Sequence, residues 1–270
     1  HDFAYRLSQH GTCFINDAFG TSHRAHASNV GVTDFLQNCT PGFLMAEEFK
    51  FLHSAVIRPK RPFTIVLGGT KIGTKLPLVT RFIREADNVF IGGGMAFTFL
   101  KIVGYEIGKS IYDDSLLQTA KQIVEMSKSL NCEFQLPSDI VVTENISSGQ
   151  DSAVRKVSEI DNNEIGVDIG PETIDQFCET INGSNTVIWN GPMGIFETKA
   201  YSGGTKAVAE ALAQMTGRGG LSIIGGGDSV SAVRELNLWS EMTHISTGGG
   251  ASLKLLAGKE LPAMKALEMV

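Results

Sequence analysis

Short apolar runs that end in glycine recur along the chain. They are FTIVLGG at 63–69, NVFIGGG at 88–94, NTVIWNG at 185–191, LSIIGGG at 221–227 and THISTGGG at 243–250. Short runs rich in β-branched and aromatic residues are typical of buried strands, and the glycines after them indicate tight turns. The pattern therefore predicts a series of buried strands, each followed by a glycine turn.

Segments between these runs have the spacing of amphipathic helices. In 205–216, the apolar residues Val208, Leu212 and Met215 recur at helical intervals, and 114–130 carries a similar stripe. Strands that alternate with helices form βαβ units, and such units build a parallel sheet with helices on both faces. We expect an α/β fold with a Rossmann-like parallel sheet, in which ligands bind at the carboxyl ends of the strands.

The first part of the chain has a different pattern. A predicted strand, TCFIND at 12–17, precedes the polar stretch FGTSHRAHASN at 19–29, and 44–56 has helical spacing. Pro59 and Pro62 follow, and proline interrupts regular structure. We therefore place a domain boundary near these prolines.

Composition and charge narrow the class of protein. The chain has 270 residues, of which 42% are hydrophobic and 19% charged, as expected for a packed globular fold. A net charge of −6 disfavours nucleic acid as a partner. The four cysteines form no CxxC pair, which favours free thiols in a reducing compartment over a zinc site or disulfides. No apolar run is long enough to span a membrane, and we expect a cytoplasmic protein.

Glycine triplets occur at three of the predicted strand ends, at 92–94, 225–227 and 248–250. Exposed backbone amides in such turns bind phosphate, so a phosphorylated ligand is expected. The P-loop pattern fails, because only three residues, rather than four, separate Gly104 from the GKS at 108–110. The dinucleotide pattern G-x-G-x-x-G fails at 92–97, where the sixth residue is phenylalanine, which disfavours a nicotinamide enzyme.

Charged residues beside these turns are candidates for ligand binding. Lys71 and Lys75, four residues apart after a predicted strand, would share one face of a helix start and bind phosphate, or are two solvated lysines. Asp228 suits Mg²⁺ beside phosphate, or is a plain helix N-cap. Arg24, between His23 and His26, could clamp an anionic substrate, although isolated histidines more often have structural roles.

The segment GPMGIFE at 191–197 offers a mixed set of contacts. Pro192 and Ile195 would supply an apolar wall for a base, and Glu197 either binds a ribose hydroxyl or is a surface acid. His244, before the last glycine run, is interpreted as structural.

Taken together and in order, the motifs resemble those of phosphoglycerate kinases along the whole chain. The matching segments are NDAFGTSHRAHAS (16–28), GFLMAEEFKFL (42–52), LGGTKIGTKL (67–76), FIGGGMAFTFL (90–100), EIGKSI (106–111), VIWNGPMGIFE (187–197), IIGGGDSVSA (223–232) and HISTGGGASLKLLAGKELP (244–262). An ordered set of this kind is far more specific than any single glycine motif.

The resemblance implies a glycolytic kinase with two α/β domains joined by a hinge. It implies reversible phosphoryl transfer between ATP and the carboxylate of 3-phosphoglycerate, which gives ADP and 1,3-bisphosphoglycerate, with Mg²⁺ as cofactor. It also implies a monomeric complete enzyme, with no nucleic acid and no membrane as partner.

The resemblance also implies roles for individual residues. Nucleotide binding would fall to Gly69, Thr70, Lys71, Lys75, Gly92, Gly93, Gly94, Ile111, Val167, Asn190, Pro192, Ile195, Glu197, Gly226, Gly227, Asp228 and Ser229. Lys75 would hold the transferring group with the amides of Gly249 and Gly250, Asp228 would bind the metal, and Arg24 would bind phosphoglycerate.

The resemblance has two departures. Thr70 and Thr74 stand where the family commonly has Ala and Asp, and the second leaves the steering of Lys75 less defined. The family's chains also begin with roughly another third of sequence, so we expect a fragment that is inactive or very weak alone, and a nucleotide-binding module without catalysis is the alternative.

The resemblance also assigns domain limits. The predicted limits are 1–45 for a remnant of the phosphoglycerate-binding domain, 46–58 for an interdomain helix, 59–250 for the nucleotide-binding domain and 251–270 for a segment that returns toward the N-terminal domain.

Overall fold

A computed structural model describes residues 1–149 and 151–269, excluding the side chain of Ser54. The chain divides into two compact units. The first contains His1–Pro59 and Ser246–Val270, and the second contains Lys60–Ile245. In the described part of the chain, no helix has both the length and the apolar character that crossing a membrane requires.

Strands and helices alternate through most of the second unit. The strands of the chain are β1 (Cys13–Asn16), β2 (Asn38–Pro41), β3 (Phe63–Leu67), β4 (Asn88–Ile91), β5 (Glu133–Gln135), β6 (Asp139–Thr143), β7 (Ala153–Lys156), β8 (Ile165–Ile169), β9 (Thr186–Asn190), β10 (Leu221–Gly225) and β11 (His244–Ile245). The helices are α1 (Asp2–Ser8), α2 (Phe43–Ile57), α3 (Ile72–Glu85), α4 (Met95–Ile102), α5 (Leu117–Ser127), α6 (Pro171–Gly183), α7 (Gly203–Gly217), α8 (Gly227–Glu235), α9 (Gly250–Leu256) and α10 (Pro262–Ala266).

A six-stranded parallel sheet forms the centre of the second unit, in the order β11-β10-β9-β3-β4-β5. Every residue of β3, β4 and β9 is buried, as expected for strands covered on both faces. From β3 the chain moves one way through β4 to β5, and it later builds β9, β10 and β11 on the other side. The strand order therefore reverses between β3 and β9, at a topological switch point where ligands of such sheets bind.

The main core of this unit packs between the sheet and its helices. Phe90 of β4 stacks on Phe177 of α6 with ring centroids 4.3 Å apart. Trp189 of β9 is fully buried, and its indole Nε1 donates to the carbonyl oxygen of Gly191 at 2.8 Å. The polar edge of this large side chain is thereby satisfied next to the switch point.

A second sheet in this unit is antiparallel, in the order β7-β6-β8. Opposite β6, the pairing shifts by one residue, so that Asp168 faces Val141 while Gly166 faces Val142. Val167 is the extra residue of this β-bulge, and a bulge redirects the side chain it carries. The apolar and glycine pattern did not predict this sheet.

The first unit holds a two-stranded parallel sheet of β1 and β2. Glu48 of α2 is fully buried, and its Oε1 accepts hydrogen bonds from the backbone N–H of Thr247 at 2.7 Å and from its hydroxyl at 3.0 Å. The buried amide of Asn29 donates to the carbonyl oxygen of Thr21 at 2.9 Å. Buried polar contacts therefore add to the apolar core of this unit, which includes Phe19, Met45 and Leu52.

The predicted α/β class and parallel sheet are confirmed. The apolar runs form β3, β4, β9 and β10, and the run at 243–250 forms only the short strand β11. The helical stripes form α5 and α7, the segment 44–56 lies in α2, and the run at 12–17 contains β1. The glycines 248–250 belong to the first compact unit. The predicted limits of ligand-binding domains stay predictions.

Candidate functional site

A cavity of about 650 Å³ opens at the carboxyl ends of the parallel strands, on both sides of the switch point. Its wall combines the turns that follow β3, β4 and β9, the start of α8, and part of the antiparallel sheet. The lining residues are Gly69, Thr70, Gly93, Gly94, Phe97, Lys109, Ile111, Ile140, Ile146, Ile165, Gly166, Val167, Asp168, Ile169, Pro192, Met193, Gly194, Ile195, Glu197 and Asp228.

The backbones of the glycine turns lie against one another. The N–H of Gly69 donates to the carbonyl oxygen of Pro192 at 2.7 Å, and the N–H of Gly93 donates to that of Met193 at 3.0 Å. Gly93 has φ +60°, and a Cβ there would lie 2.4 Å from the nitrogen of Gly69. Glycine is needed at this position because both the backbone conformation and the close approach exclude a side chain.

Lys75 lies in α3 and is 6% exposed. Its Nζ donates to the carbonyl oxygen of Gly68, after β3, and to that of Asn190, the last residue of β9, at 3.3 Å. Burial lowers the pKa of Lys75 from 10.5 to about 8; Asp228 opposes the shift and Lys71 adds to it. An ammonium group therefore spans the two strands of the switch point.

The alternative interpretation of Lys71 and Lys75 as two solvated lysines is wrong. Lys71 is exposed and is the N-cap residue of α3, whereas Lys75 lies in the helix and is buried. Lys71 directly precedes the first helical residue of α3, and the expectation that the two lysines share one face of the helix start stays a prediction. The charge interaction with Lys75 still places both near the same strand end.

Asp228 lies in the first turn of α8 and lines the cavity. The plain N-cap interpretation is wrong, because Gly226 is the N-cap residue, with φ +89°, and Gly227 begins the helix. Among residues 1–149 and 151–269, no cluster of three or more His, Cys, Asp or Glu side chains suits a metal. A single exposed carboxylate nevertheless fits Mg²⁺, which prefers one or two carboxylates with phosphate oxygens.

The turn after β9 is tied to α8. The hydroxyl of Ser229 accepts from the N–H of Gly191 at 2.6 Å. Asn190 is 2% exposed, and its Nδ2 has no hydrogen-bond partner among the described residues. Buried donors are almost always paired in folded proteins. The unpaired amide donor of Asn190 is therefore available to an acceptor on a ligand, such as an anion.

The opposite wall is apolar and comes from the antiparallel sheet and the segment 191–197. The bulged residue Val167 lines the cavity, and its carbonyl oxygen accepts from the N–H of Ile195 at 2.9 Å. Glu197 is exposed at the same wall. Gly92 is buried behind the lining, where a Cβ would meet the sulfur of Met193 at 2.5 Å.

Sequence reasoning missed Asp168 and Lys109, which both line the cavity. Asp168 is 4% exposed, and burial raises its pKa to about 7 although the N–H groups of Gly204, Ile169 and Gly203 partly oppose this shift. The sequence did offer one signal for Asp168, since an acidic residue between the apolar residues Val167 and Ile169 is unusual. Lys109 belongs to the rejected phosphate-loop pattern, and its position could not be inferred from spacing.

In the first unit, the predicted residues Arg24, Gly249 and Gly250 lie in one region. Arg24 is exposed, and its Nε donates to Nε2 of His23 at 3.4 Å. A Cβ on Gly250 would lie 3.6 Å from the same nitrogen. Burial lowers the pKa of His23, and Lys254 and Arg24 lower it further. The region is therefore basic and favours an anionic ligand.

An open α/β sheet with a cavity at its switch point, glycine turns along the rim and a buried ammonium beside it is an arrangement that suits a phosphorylated ligand. The chain belongs to the phosphoglycerate kinase family, whose model matches residues 1–259. The family assignment agrees with the ordered motifs of the sequence.

Individual relatives agree with this assignment. The chain is 48% identical over 266 residues to a phosphoglycerate kinase of Chlorobium chlorochromatii, covering 98% of this chain and 67% of that protein. It is 44% identical to the cytosolic phosphoglycerate kinase of Triticum aestivum, with 99% and 67% covered. The phosphoglycerate kinase structure from Coxiella burnetii superimposes with a TM-score of 0.92 at 38% identity, covering 98% of this chain and 68% of that one. The chain thus spans about two thirds of these relatives' length.

Proposed function

We propose that the chain serves reversible phosphoryl transfer between ATP and the carboxylate of 3-phosphoglycerate. In this reaction the bond between the γ-phosphorus and the bridging oxygen of ADP breaks, and a carboxylate oxygen bonds to phosphorus. The observation that carries the proposal is the cavity at the switch point, which Asp228 lines and beside which Lys75 is buried next to Gly69. Membership of the kinase family supports the reaction class.

The nucleotide would occupy the cavity with its base against the apolar wall. Val167, Ile111, Ile195 and Pro192 offer that wall, and Glu197 lies where a ribose could be bound. Gly92, Gly93 and Gly94 would border the base together with this wall. The other glycines and polar residues at the strand ends would line the phosphates; they are Gly69, Thr70, Lys71, Asn190, Gly226, Gly227 and Ser229.

Lys75 would neutralise charge on the transferring group. A carboxylate nucleophile has no proton to lose, so positioning and electrostatic stabilisation can supply most of the rate enhancement. Lys75 is already held by carbonyl oxygens of Gly68 and Asn190, so it exchanges those partners for phosphoryl oxygens. The buried setting strengthens each such interaction.

Asp228 would hold Mg²⁺, the cofactor that resemblance to the family implies. When bound, the cation would neutralise negative charge on the phosphates. The exposed carboxylate of Asp228 in the first turn of α8 is the group of this chain that would bind it.

The first unit would contribute residues that bind the second substrate. Arg24 is an exposed guanidinium suited to bidentate binding of an anion, and we propose phosphoglycerate as that anion. Gly249 and Gly250 would offer backbone amides to the transferring phosphoryl group. The cytoplasmic location and the monomeric state stay predictions.

Two measurements test this proposal. We call this chain, extended to the length of its relatives, the complete enzyme. ATP formation from 1,3-bisphosphoglycerate, ADP and Mg²⁺ is expected for the complete enzyme, and absence of turnover in that assay would refute the proposal. The second candidate is a nucleotide-binding module without catalysis, which is favoured by the cavity lying wholly within the second unit. Calorimetry of the 270-residue chain with ADP and Mg²⁺, alongside the same assay, separates the two: binding without turnover supports the module.

A further inference from the structure

Asp168 lies where β8 meets the cavity, and its carboxylate contacts two other segments. Oδ2 accepts from the N–H of Gly204 at 2.8 Å, in the first turn of α7. A Cβ on Gly194, in the cavity wall, would lie 2.4 Å from Oδ1 of Asp168. The carboxylate thus fills the space between strand, helix start and wall segment.

The helix start depends on this carboxylate for capping. The N-cap residue of α7, Ser202, makes no side-chain capping hydrogen bond. The first N–H groups of a helix need partners, and a carboxylate near them is stabilising. Asp168 supplies this partner from strand β8, although its burial opposes ionisation of the carboxyl group.

The first turn of α7 in turn holds the wall segment. The hydroxyl of Thr205 accepts from the N–H of Met193 at 3.0 Å. Met193 and Gly194 both line the cavity, and the carbonyl oxygen of Met193 accepts from Gly93. A continuous series of contacts therefore runs from Asp168 through α7 to the wall and the glycine turn after β4.

We infer that Asp168 is a positioning residue that sets the nucleotide-binding wall at 192–195 by fixing the start of α7 and abutting Gly194. The inference rests on the proposed function, in which that wall meets the nucleotide base. It predicts that loss of the carboxylate weakens nucleotide binding while leaving the chemical step largely intact.

Asp139 is a matched control on the neighbouring strand β6. It is 2% exposed, and its carboxylate caps a different helix, α6, accepting from the N–H of Thr173 at 2.8 Å and from that of Glu172 at 3.0 Å. Asp139 is absent from the residues that line the described cavity. The two aspartates share burial and a capping role and differ in their contact with the wall.

The test compares Asp168→Asn and Asp139→Asn by calorimetry with ADP and Mg²⁺, and by steady-state kinetics in the complete enzyme. For Asp168→Asn we expect Kd and KM for the nucleotide to rise about tenfold while kcat changes less than about twofold. For Asp139→Asn we expect Kd within about twofold of the unmodified chain, with any effect confined to the melting temperature. An unchanged Kd in Asp168→Asn, or an equal rise in Asp139→Asn, overturns the inference.

A second pair of variants keeps the test decisive if Asp168→Asn does not fold. Thr205→Val removes the acceptor for Met193, and Thr205→Ser keeps it. We expect Thr205→Ser to bind ADP at least about fivefold more tightly than Thr205→Val, and equal Kd values would contradict the inference. Absence of ADP binding in the unmodified chain would overturn the proposed function and this inference with it. ADP binding by the unmodified chain, with the same Kd in the variants, would overturn this inference alone.

Discussion

The two walls of the cavity are built on different principles. The parallel-sheet edge presents glycine backbone and the carboxylate of Asp228, and the buried ammonium of Lys75 lies next to Gly69 of this edge. The antiparallel sheet presents apolar side chains, with Val167 turned by a bulge. A fixed charged edge is suited to stabilising a reacting group, and an apolar wall is suited to holding a base. The difference predicts that mutations on the edge affect the chemical step or the Mg²⁺-dependent part of nucleotide binding, and that mutations on the wall affect nucleotide affinity without affecting the chemical step.

The largest effect is expected from removing the buried charge at the edge. In Lys75→Met we expect kcat/KM of the complete enzyme to fall by about 10² to 10³-fold, because the charge on the transferring group loses its stabilisation. Steady-state assays of the variant measure this loss. Lys121→Met, at an exposed lysine of α5, is the control. A loss below about threefold in Lys75→Met would contradict the proposed role.

The same lysine gives a pH dependence. Its pKa of about 8 means that the charged form predominates below pH 8 and is lost as the pH rises through that value. We therefore expect kcat/KM, which reports the ionisation of the free enzyme, to decline above pH 8. A pH–rate profile of the unmodified enzyme checks this, and a flat profile between pH 7 and 9 would count against it.

A smaller effect is expected at the metal position of the edge. In Asp228→Asn the Kd for ADP should rise roughly 10- to 100-fold in the presence of Mg²⁺, because a charged ligand of the cation is lost. Without Mg²⁺ the same Kd should stay equal or fall, since a negative charge near the phosphates is removed. Calorimetry with and without Mg²⁺ separates these cases, with Asp175→Asn on α6 as the control. Equal losses in both conditions would exclude the metal role.

On the apolar wall a moderate effect on affinity is expected. Val167→Ala removes two methyl groups from a buried cavity residue, so KM for ADP should rise about fivefold with kcat unchanged. Val154→Ala, at a half-exposed position of the same sheet, is the matched control. A fall in kcat without a change in KM would reverse the assignment of the two walls.

The smallest effect is expected where wall and edge meet. Thr70 is exposed, and its methyl group lies near Gly94 and Ile111, while its backbone continues the glycine turn. Since the turn acts through backbone groups, Thr70→Ala should change the Kd for ADP by no more than about twofold. Calorimetry of this variant measures whether the side chain takes part in binding, and a tenfold change would place it in the wall.

The sequence predicts the charged edge better than the apolar wall. The strands β3, β4 and β9 follow from uninterrupted apolar runs and the glycines after them, so their order along the chain indicates a parallel sheet with a ligand edge. The burial of Lys75 does not follow, because its partners at 68 and 190 are 7 and 115 residues away. Spacing along a helix gives no information about such distant carbonyl groups.

The wall escapes prediction for a different reason. In β7, exposed and half-buried residues alternate over only four positions, which is too short for a distinct pattern. The position of Val167 depends on a pairing shift against β6, and register is set by tertiary contacts. Asp168 shows as an acid within an apolar run, but the helix that it caps begins 35 residues later, at Gly203.

The buried indole of Trp189 gives this molecule an optical reporter. Its hydrogen bond to the carbonyl oxygen of Gly191 couples it to the turn that also contacts Ser229. The other tryptophan, Trp239, is 39% exposed and lies 4.6 Å from the guanidinium of Arg234. An external quencher such as acrylamide should suppress the emission of Trp239 first, so the residual blue-shifted fluorescence would follow events at the switch point without any added label.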